Sequence, residues 1–510
     1  MENFLKQYSG FIVGVLSCFD RIVFKGHLPI WAEQMEKLVS RHEKLIKHFG
    51  TFVQKQSQRI VAQAKAIAEG AGLEIVELAP RQRKEDFVHR QIAKEGRTRG
   101  LICVLKVVEP CRSFRVVSGE RRPRLVGAQR KCLTFYFYFL DNELGLIHVR
   151  IPTWFPMSIQ VCLNGHEILA RKLDHAKIEY RKEDNAFTWI ADIERAQRLA
   201  DRIPSMDWPK ILNRFAQRIN PLLGDVLQGM GYYWVTDQAE YATDVMFESP
   251  AALKPLYDKW VKHAITYFTA EDVLRFLGKK LQGNFKGEVL SDWKNKRWPG
   301  ARIKHRVKEN WIKMYDKHGC VLRIESVINQ PREFRVRREG TRMGEKVVDW
   351  FPMRKGVANL YRYAEVARGA NHRYLEALSA VEPPRRAVAA ISRLARRVRA
   401  GKRSFAGFNP ALAEDIALFA AVLCGEHAIH GISNEAVRCK LYGSAVDPTV
   451  RRRHANRVSR LFKRLHVHGL ITKVRRSRRW RLTKEGTVLV TAVLKCHYEK
   501  YPELLAALAI

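Results

Sequence analysis

The centre of the chain holds side chains whose types and spacing could act on a phosphodiester bond. Residues 311–316 and 320–328 are predicted strands that flank the turn Lys317-His318-Gly319. We choose the hairpin register in which Gly319 ends the loop in the left-handed conformation, because this register collects apolar side chains on one face. The opposite face then carries the catalytic candidates, and the preceding strand adds a histidine to them: Lys313, Tyr315, Arg323, Glu325 and His305.

Each of these candidates has a possible role in strand cleavage. Tyr315 could attack phosphorus and form a covalent phosphotyrosine. Arg323 and Lys313 would stabilise the negative charge that develops on the phosphate, and would favour the phenolate form of the tyrosine. Glu325 could bind a metal or accept a proton, and His305 could join it. The alternative is a cross-strand salt-bridge lattice beside an exposed tyrosine.

Acidic residues elsewhere offer a different route, in which a metal activates water. Asp20 lies between two predicted β runs, a position where an aspartate can be a metal ligand in RNase H-like nucleases; the alternative is a strand-end or turn aspartate. Residues 231–247 are predicted to form two short strands, on which Glu240 and Asp244 share parity. Two acids on one edge can hold a divalent cation, and they can equally face solvent. The predicted metal ligands are Glu325, Glu240 and Asp244, with Mg²⁺ or Mn²⁺ as the ion; no nucleotide or zinc is expected.

The stretch 447–482 predicts a nucleic-acid-binding surface. Asp447 caps a helix that starts with proline, and Gly469 ends it. An apolar stripe and a basic stripe lie roughly 120° apart on this helix, so one can pack while the other faces solvent. The basic residues of the helix and of the β-turn that follows it are the nucleic-acid-binding candidates: Arg453, Arg457, Arg460, Arg464, Arg475, Arg476, Arg478 and Arg479.

Two resemblances to known families follow from these motifs. The predicted order helix, helix, helix, β-hairpin, helix over residues 411–498 is similar to winged-helix regulators of the MarR type, and the run from His468 to Gly486 resembles their wing. This resemblance implies DNA binding through a recognition helix and a wing, and implies no enzymatic activity.

The second resemblance concerns the central hairpin. Tyr315-Asp316-Lys317 followed by Leu322-Arg323-Ile324-Glu325 resembles a pattern in plasmid and phage rolling-circle replication initiators. Those enzymes nick one DNA strand through a tyrosine, helped by a divalent metal. The resemblance implies Tyr315 as nucleophile and Glu325 as metal ligand, although the histidine pair of the common initiators is missing at residues 148–150.

Composition limits the possible partners. The 510 residues carry a formal net charge of +39, which indicates a polyanionic partner. No run of about eighteen apolar residues occurs, so nucleic acid is favoured over a membrane, with DNA preferred and RNA possible. Nine scattered cysteines without a C-x-x-C pair indicate reduced thiols in the cytoplasm. The basic run 332–342 is predicted to be an exposed loop or edge.

These patterns together predict an α+β multidomain protein with a mixed or antiparallel sheet core, flanking helices and a C-terminal winged helix. The predicted divisions are 1–125 (α/β, with a helical segment), 126–382 (β-rich core with a helical insertion), 383–408 (basic linker) and 409–510 (nucleic-acid-binding domain). We expect a DNA-binding protein of a mobile or replicating element that nicks or cleaves DNA with a divalent metal. The alternatives left open are a non-catalytic regulator and an RNA-binding component of a ribonucleoprotein.

Overall fold

The fold is taken from a computed structural model of the chain. The structure describes residues 1–28, 31–42, 45–79, 82–118, 122–279, 288–294, 300–381, 394–401, 403–425, 427, 431–474 and 477–500. These residues form helices and a large mixed sheet, so the predicted α+β class is confirmed. Among them, no helix combines the length and the apolar character needed to cross a membrane.

The strands are numbered in chain order. They are β1 (Ile12–His27), β2 (Ile75–Glu77), β3 (Gly100–Val117), β4 (Arg124–Asp141), β5 (Gly145–Pro152), β6 (Ile159–Asn164), β7 (Tyr180–Glu183), β8 (Ala186–Ile190), β9 (Tyr233–Phe247), β10 (Val289–Lys294), β11 (Arg302–Val307), β12 (Asn310–Lys317), β13 (Val321–Ile328), β14 (Arg335–Arg342), β15 (Glu345–Pro352), β16 (Val398–Ala400), β17 (Arg403–Phe405), β18 (Ile471–Lys473) and β19 (Trp480–Leu482).

The α-helices are numbered in the same way. They are α1 (Glu2–Tyr8), α2 (Ala32–Arg41), α3 (Phe49–Glu69), α4 (Lys84–Glu95), α5 (Gly165–His175), α6 (Ile193–Asp201), α7 (Trp208–Ile219), α8 (Pro250–Thr266), α9 (Ala270–Phe276), α10 (Leu360–Leu378), α11 (Ala413–Leu423), α12 (Asn434–Tyr442), α13 (Pro448–Val467) and α14 (Lys484–Lys495).

The chain divides into two compact units, each assembled from separate pieces of sequence. The first unit consists of Met1–Val13, Phe247–Ile324 and Gly369–Ile510. The second unit consists of Gly14–Met246 and Glu325–Arg368. The predicted domain boundaries, which follow the sequence continuously, stay a prediction.

The sheet of the second unit is built around β1. Its strand order is β9-β1-β6-β5-β4-β3-β2, and β13, whose Glu325–Ile328 end belongs to this unit, neighbours β9. β1 runs antiparallel to β6, whereas β2 is parallel to β3. The aromatic ring of Phe24 packs 4.9 Å from Trp208, which joins the centre of the sheet to α7.

Two predicted breaks in strands are wrong. β1 continues through Asp20, which therefore lies in mid-strand and is not a turn residue. Likewise, β9 is one strand, although two short strands around Asp237-Gln238 were predicted. In both places a polar residue interrupts an apolar run, and such an interruption has the same pattern as a turn. The polar side chains are accommodated inside the fold, as the site described below shows.

In the first unit the described strands follow the order β10-β11-β12-β13. β11 and β12 pair antiparallel, with His305 opposite Ile312 and Lys304 opposite Lys313. A cluster of apolar side chains from α11, α12, α13, α14 and the β18–β19 hairpin forms a separate core in this unit. These C-terminal elements occur in the predicted order, because strong capping signals mark their ends: Ser433, Asp447 and Thr483 each accept a backbone N–H.

The basic run 332–342 is largely an exposed strand with a single neighbour, so of the two predicted alternatives, a loop or an edge, the edge is confirmed and the loop is wrong. β14 pairs with β15 over its whole length in a two-stranded sheet of the second unit. Val336 is buried, while the neighbouring Arg335 and Arg337 are exposed. The alternation of one apolar residue among charged ones is weak evidence for a strand in the sequence, which explains the error.

Candidate metal centre

Three carboxylates that are far apart in the sequence meet on three neighbouring strands of the second unit. Asp20 lies on β1, Glu240 on β9 and Glu325 on β13, and the strand order places β9 between the other two. Each residue offers a carboxylate oxygen, and these oxygens lie within 4.8 Å of one another. Asp20 is 6% exposed and Glu325 is 1% exposed, whereas Glu240 is half-buried. Glu240 is therefore the most exposed of the three carboxylates.

A histidine from α5 connects this group to a fourth carboxylate. The Nδ1 atom of His166 lies 3.2 Å from Oδ1 of Asp20, and its Nε2 atom lies 3.3 Å from Oδ2 of Asp244. Both His166 and Asp244 are fully buried. The side-chain amide of Asn185 also donates a hydrogen bond of 2.7 Å to Oδ1 of Asp20. Polar contacts of this kind hold a carboxylate in one orientation.

The start of α5 fixes the position of His166. Asn164 ends β6 and caps the helix, because its side-chain oxygen accepts the backbone N–H groups of His166 and Glu167. Gly165 then lies so close to β1 that a Cβ atom there would fall 2.2 Å from the carbonyl oxygen of Phe19. Since Phe19 precedes Asp20, this close approach brings the histidine and the aspartate together.

The arrangement suits a hard divalent cation. Mg²⁺ and Ca²⁺ bind oxygen ligands at about 2.0–2.6 Å, so ligands of one ion lie at most about 5 Å apart. The separation of these carboxylate oxygens fits that limit. Asp20, Glu240 and Glu325 together can therefore act as ligands of one such cation.

Known proteins do not decide the assignment of this centre. Comparison with protein-family models, with curated proteins and with solved structures finds no match. The geometry of the side chains and the charge of the chain are therefore the basis for the function proposed below.

Two of the three predicted metal ligands lie in the carboxylate group, and Asp20 takes the place of the third, Asp244. Glu325 and Glu240 belong to the carboxylate group, whereas Asp244 meets it through His166. The alternative that Asp244 faces solvent is wrong, because this residue is fully buried. Asp20, considered for a metal-activated nuclease, supplies the third carboxylate. His166 was not predicted; the signal that could have identified it is its position directly after the Asn164-Gly165 helix start.

The histidine of the predicted tyrosine site lies elsewhere. His305 is paired with Ile312, so it shares the buried face of β12 and not the face that carries Lys313. Its ring nitrogens lie 2.7 Å from the Ser291 hydroxyl and 3.1 Å from the Tyr374 hydroxyl. Burial lowers the pKa of His305 to about 4. The prediction that His305 joins the catalytic face is wrong, because the register between β11 and β12 has no local signal in the sequence.

The assumption behind the predicted hairpin register is also wrong. Every residue of β13 is buried, including Arg323, so burial does not distinguish the two faces of this strand. Three residues, His318, Gly319 and Cys320, separate β12 from β13, and His318 and Gly319 both have positive φ. The predicted loop, Lys317-His318-Gly319, also has three residues, but it begins one residue earlier and has only Gly319 in that conformation. One local prediction is confirmed: Asp316 caps the turn, since its carboxylate accepts the Gly319 N–H at 2.9 Å.

The remaining tyrosine-site residues stay predictions. Tyr315 is half-buried on β12. The ammonium of Lys313 lies 5.9 Å from the centre of the Trp311 ring, and that of Lys304 lies 3.7 Å from it. This face of the hairpin thus carries two lysines against an indole.

Asp316 gives the first testable prediction. Burial raises the pKa of its carboxyl to about 6 from an ordinary value of 3.8, more than the Gly319 hydrogen bond lowers it. A carboxyl whose pKa is higher in the folded chain stabilises the fold below the unfolded pKa, and this contribution is lost as the pH rises through about 6. Asp316→Asn keeps the acceptor oxygen but cannot ionise. As the pH rises from 4 to 7.5, we therefore expect its free energy of unfolding to increase relative to that of the wild type by about 1 kcal/mol, after allowance for solvent screening. Urea unfolding at the two pH values measures this difference; an equal effect at both would contradict the assignment.

The basic residues of α13 divide into two groups. Arg453 and Arg460 are exposed, and Arg457 is exposed but lies 3.4 Å from Glu414. Arg464 instead makes two hydrogen bonds to Asp415, at 2.9 and 3.1 Å, and its guanidinium lies 3.9 Å from the centre of the Phe408 ring.

Arg464 is thus held within the C-terminal elements, and its predicted role as a contact to nucleic acid stays a prediction. Its position at the end of the basic stripe brings it against the chain that precedes α11, where Gly407 accepts another of its N–H groups. Arg478 and Arg479 are exposed in the β18–β19 turn. Arg475 and Arg476 lie outside the described residues.

Proposed function

We propose that this protein is a divalent-metal-dependent nuclease, in which Asp20, Glu240 and Glu325 hold Mg²⁺ or Mn²⁺. The observation that carries the proposal is the convergence of these three carboxylates within 4.8 Å, in a chain whose net charge is +39. Such a strongly basic protein attracts polyanions, and the phosphodiester backbone is the polyanion that a bound metal can help to cleave.

The residues of the centre have separate tasks in this proposal. The three carboxylates position the ion, and the half-buried Glu240 lies where a phosphate could approach. A bound cation supplies a Lewis acid that polarises the phosphate and lowers the pKa of water. His166 holds Asp20 and Asp244 in place, and the basic surface compensates the charge of the substrate.

The proposal is tested by incubating the full chain with labelled oligonucleotides in the presence of Mg²⁺, Mn²⁺ or excess EDTA. Single-stranded DNA, duplex DNA, single-stranded RNA and supercoiled plasmid serve as substrates. We expect cleavage with Mg²⁺ or Mn²⁺ and none with EDTA. Tight binding with no cleavage of any substrate would overturn the nuclease and leave the regulator or the ribonucleoprotein component.

We also propose that α13 and the β18–β19 turn bind DNA as the recognition helix and wing of a domain like that of the MarR-type regulators. The exposed arginines on α13 and in the turn support this proposal, and so does the order of the C-terminal elements. The association with a mobile or replicating element stays a prediction.

This surface gives a prediction about salt. Replacing both Arg453 and Arg460 with Ala should weaken duplex binding about tenfold at moderate salt, and should lower the slope of log K against log salt by about 2, since each lost phosphate contact removes close to one unit. Fluorescence anisotropy in EDTA measures both quantities without cleavage. Replacing both Arg195 and Arg198 of α6 with Ala, which also removes two exposed arginines, is the matched control. Equal effects from both changes would mean that α13 is not the docking surface.

A further inference from the structure

The β14–β15 hairpin presents an exposed face on which aromatic, aliphatic and basic side chains alternate. Arg337 is opposite Trp350, and Glu339 is opposite Val348. Partners across a ladder share one face of the sheet. Trp350 is 46% exposed and Val348 is 63% exposed, so this face is uncovered at its centre. Further basic residues lie on the same face at Arg335 and Lys346, both of them exposed.

The indole on this face is held by an arginine. The Arg362 guanidinium lies 5.0 Å from the centre of the Trp350 ring. Two hydrogen bonds fix that guanidinium: one of 2.9 Å to the carbonyl oxygen of Arg335, and one of 2.8 Å to Glu365. The ring is therefore oriented before any ligand arrives, while nearly half of its surface remains open to solvent.

Both ends of the hairpin are attached to strands that carry metal-site carboxylates. β14 begins at Arg335, ten residues after Glu325, so the two Cα atoms are at most about 35 Å apart. After β15 the chain returns to β9, where the Thr236 N–H donates a hydrogen bond of 2.7 Å to the carbonyl oxygen of Lys355. Thr236 and Glu240 are four residues apart on that strand, a rise of about 13 Å.

We infer that this face binds an unpaired nucleic-acid strand, with a base stacked on Trp350 and phosphates near Arg335, Arg337 and Lys346. The inference rests on the proposed function, and it names the substrate class as single-stranded. Only unpaired bases have free faces for an aromatic side chain, and basic residues beside the ring complement the phosphates. A base pair inside a duplex offers no such face.

The inference is tested by binding, in a chain that does not cleave. Asp20→Asn is used as the parent, in EDTA, with a labelled single-stranded oligonucleotide and the same sequence as a duplex. We expect Trp350→Ala to weaken single-strand binding about 10- to 100-fold, the effect of losing one stacked base, and to leave duplex binding unchanged. Trp350→Phe should retain most of the affinity. Trp293→Ala, which removes another exposed tryptophan from a strand, is the matched control.

The possible outcomes separate this inference from the nuclease. Single-strand affinity that stays within twofold in Trp350→Ala would overturn the inference, and so would an equal loss for single strand and duplex. Neither result depends on whether the wild-type protein cleaves. Conversely, an absence of cleavage together with a selective loss of single-strand affinity in Trp350→Ala would overturn the nuclease proposal. The same result would support the β14–β15 face as a binding surface for single strands. Thermal unfolding of each variant confirms that an exposed side chain was removed without loss of the fold.

Discussion

Replacement of Glu325 with Gln should lower the rate of metal-dependent strand cleavage by a factor of about 10³ or more. The amide has almost the same shape as the carboxylate but lacks the charge that holds a cation. Asp20→Asn and Glu240→Gln should have effects of similar size, because the three oxygens form one site. Residues that act as one unit are not additive, so a double variant should be little worse than a single one.

Initial rates on a labelled oligonucleotide, measured over a range of Mg²⁺ and Mn²⁺ concentrations, test this expectation. Calorimetric titration of Mn²⁺ into the protein provides a readout that does not depend on activity. Glu194→Gln removes one exposed carboxylate of α6 to which no role is assigned, and it should leave both quantities unchanged. Full activity in Glu325→Gln would exclude the proposed centre.

Tyr315→Phe distinguishes the two chemical routes. If metal-activated water attacks the phosphate, this change should leave the rate within about twofold, and no covalent adduct should form with the wild type. A covalent protein–DNA adduct that disappears in Tyr315→Phe would instead support the tyrosine route implied by the resemblance to rolling-circle initiators.

The second large effect should come from Gly165→Ala. The added Cβ would lie 2.2 Å from the carbonyl oxygen of Phe19 and 2.7 Å from its Cβ, distances that force the backbone of α5 or β1 to move. We expect a loss of about 3 kcal/mol or more in the free energy of unfolding. Because the contact lies between Asp20 and His166, cleavage should fall as well, even at temperatures where the variant remains folded.

Gly50→Ala provides the comparison for this change. Gly50 lies in α3 with nothing within 4 Å of an added Cβ, so the substitution should be neutral or should stabilise the helix by up to about 1 kcal/mol. Urea or thermal unfolding measures both variants. A Gly165→Ala protein that melts with the wild type would show that α5 and β1 do not approach closely.

Local signals in the sequence predicted the C-terminal elements well. Asp447 and Thr483 cap helices that the structure contains, and Gly469, which follows the C-cap residue His468 of α13, has positive φ. These features depend on a few neighbouring residues. The same kind of signal predicted that Asp316 would cap its turn, and the hydrogen bond to Gly319 confirms it.

Features that depend on distant pairing could not be predicted in this way. Alternation along β9 indicated that Glu240 and Asp244 share a face, but it did not indicate which strands lie beside that face. The order of β13, β9 and β1 brings Glu325 and Asp20 to it, and this order results from contacts across hundreds of residues. Burial on both sides of β13 similarly removed the one-sided pattern on which the register of the central hairpin was predicted.

In the proposed metal centre, the wide separation of the three carboxylates in the sequence would also couple metal binding to folding. A shorter fragment that lacks any one of Asp20, Glu240 or Glu325 lacks a ligand of the site, and an unfolded chain does not hold them together. A cation that binds only the folded protein stabilises it by mass action, by about 2.7 kcal/mol at a hundredfold excess over its dissociation constant. The melting temperature of the second unit should therefore rise with Mn²⁺ concentration, because the ion would hold together strands that are far apart in the sequence.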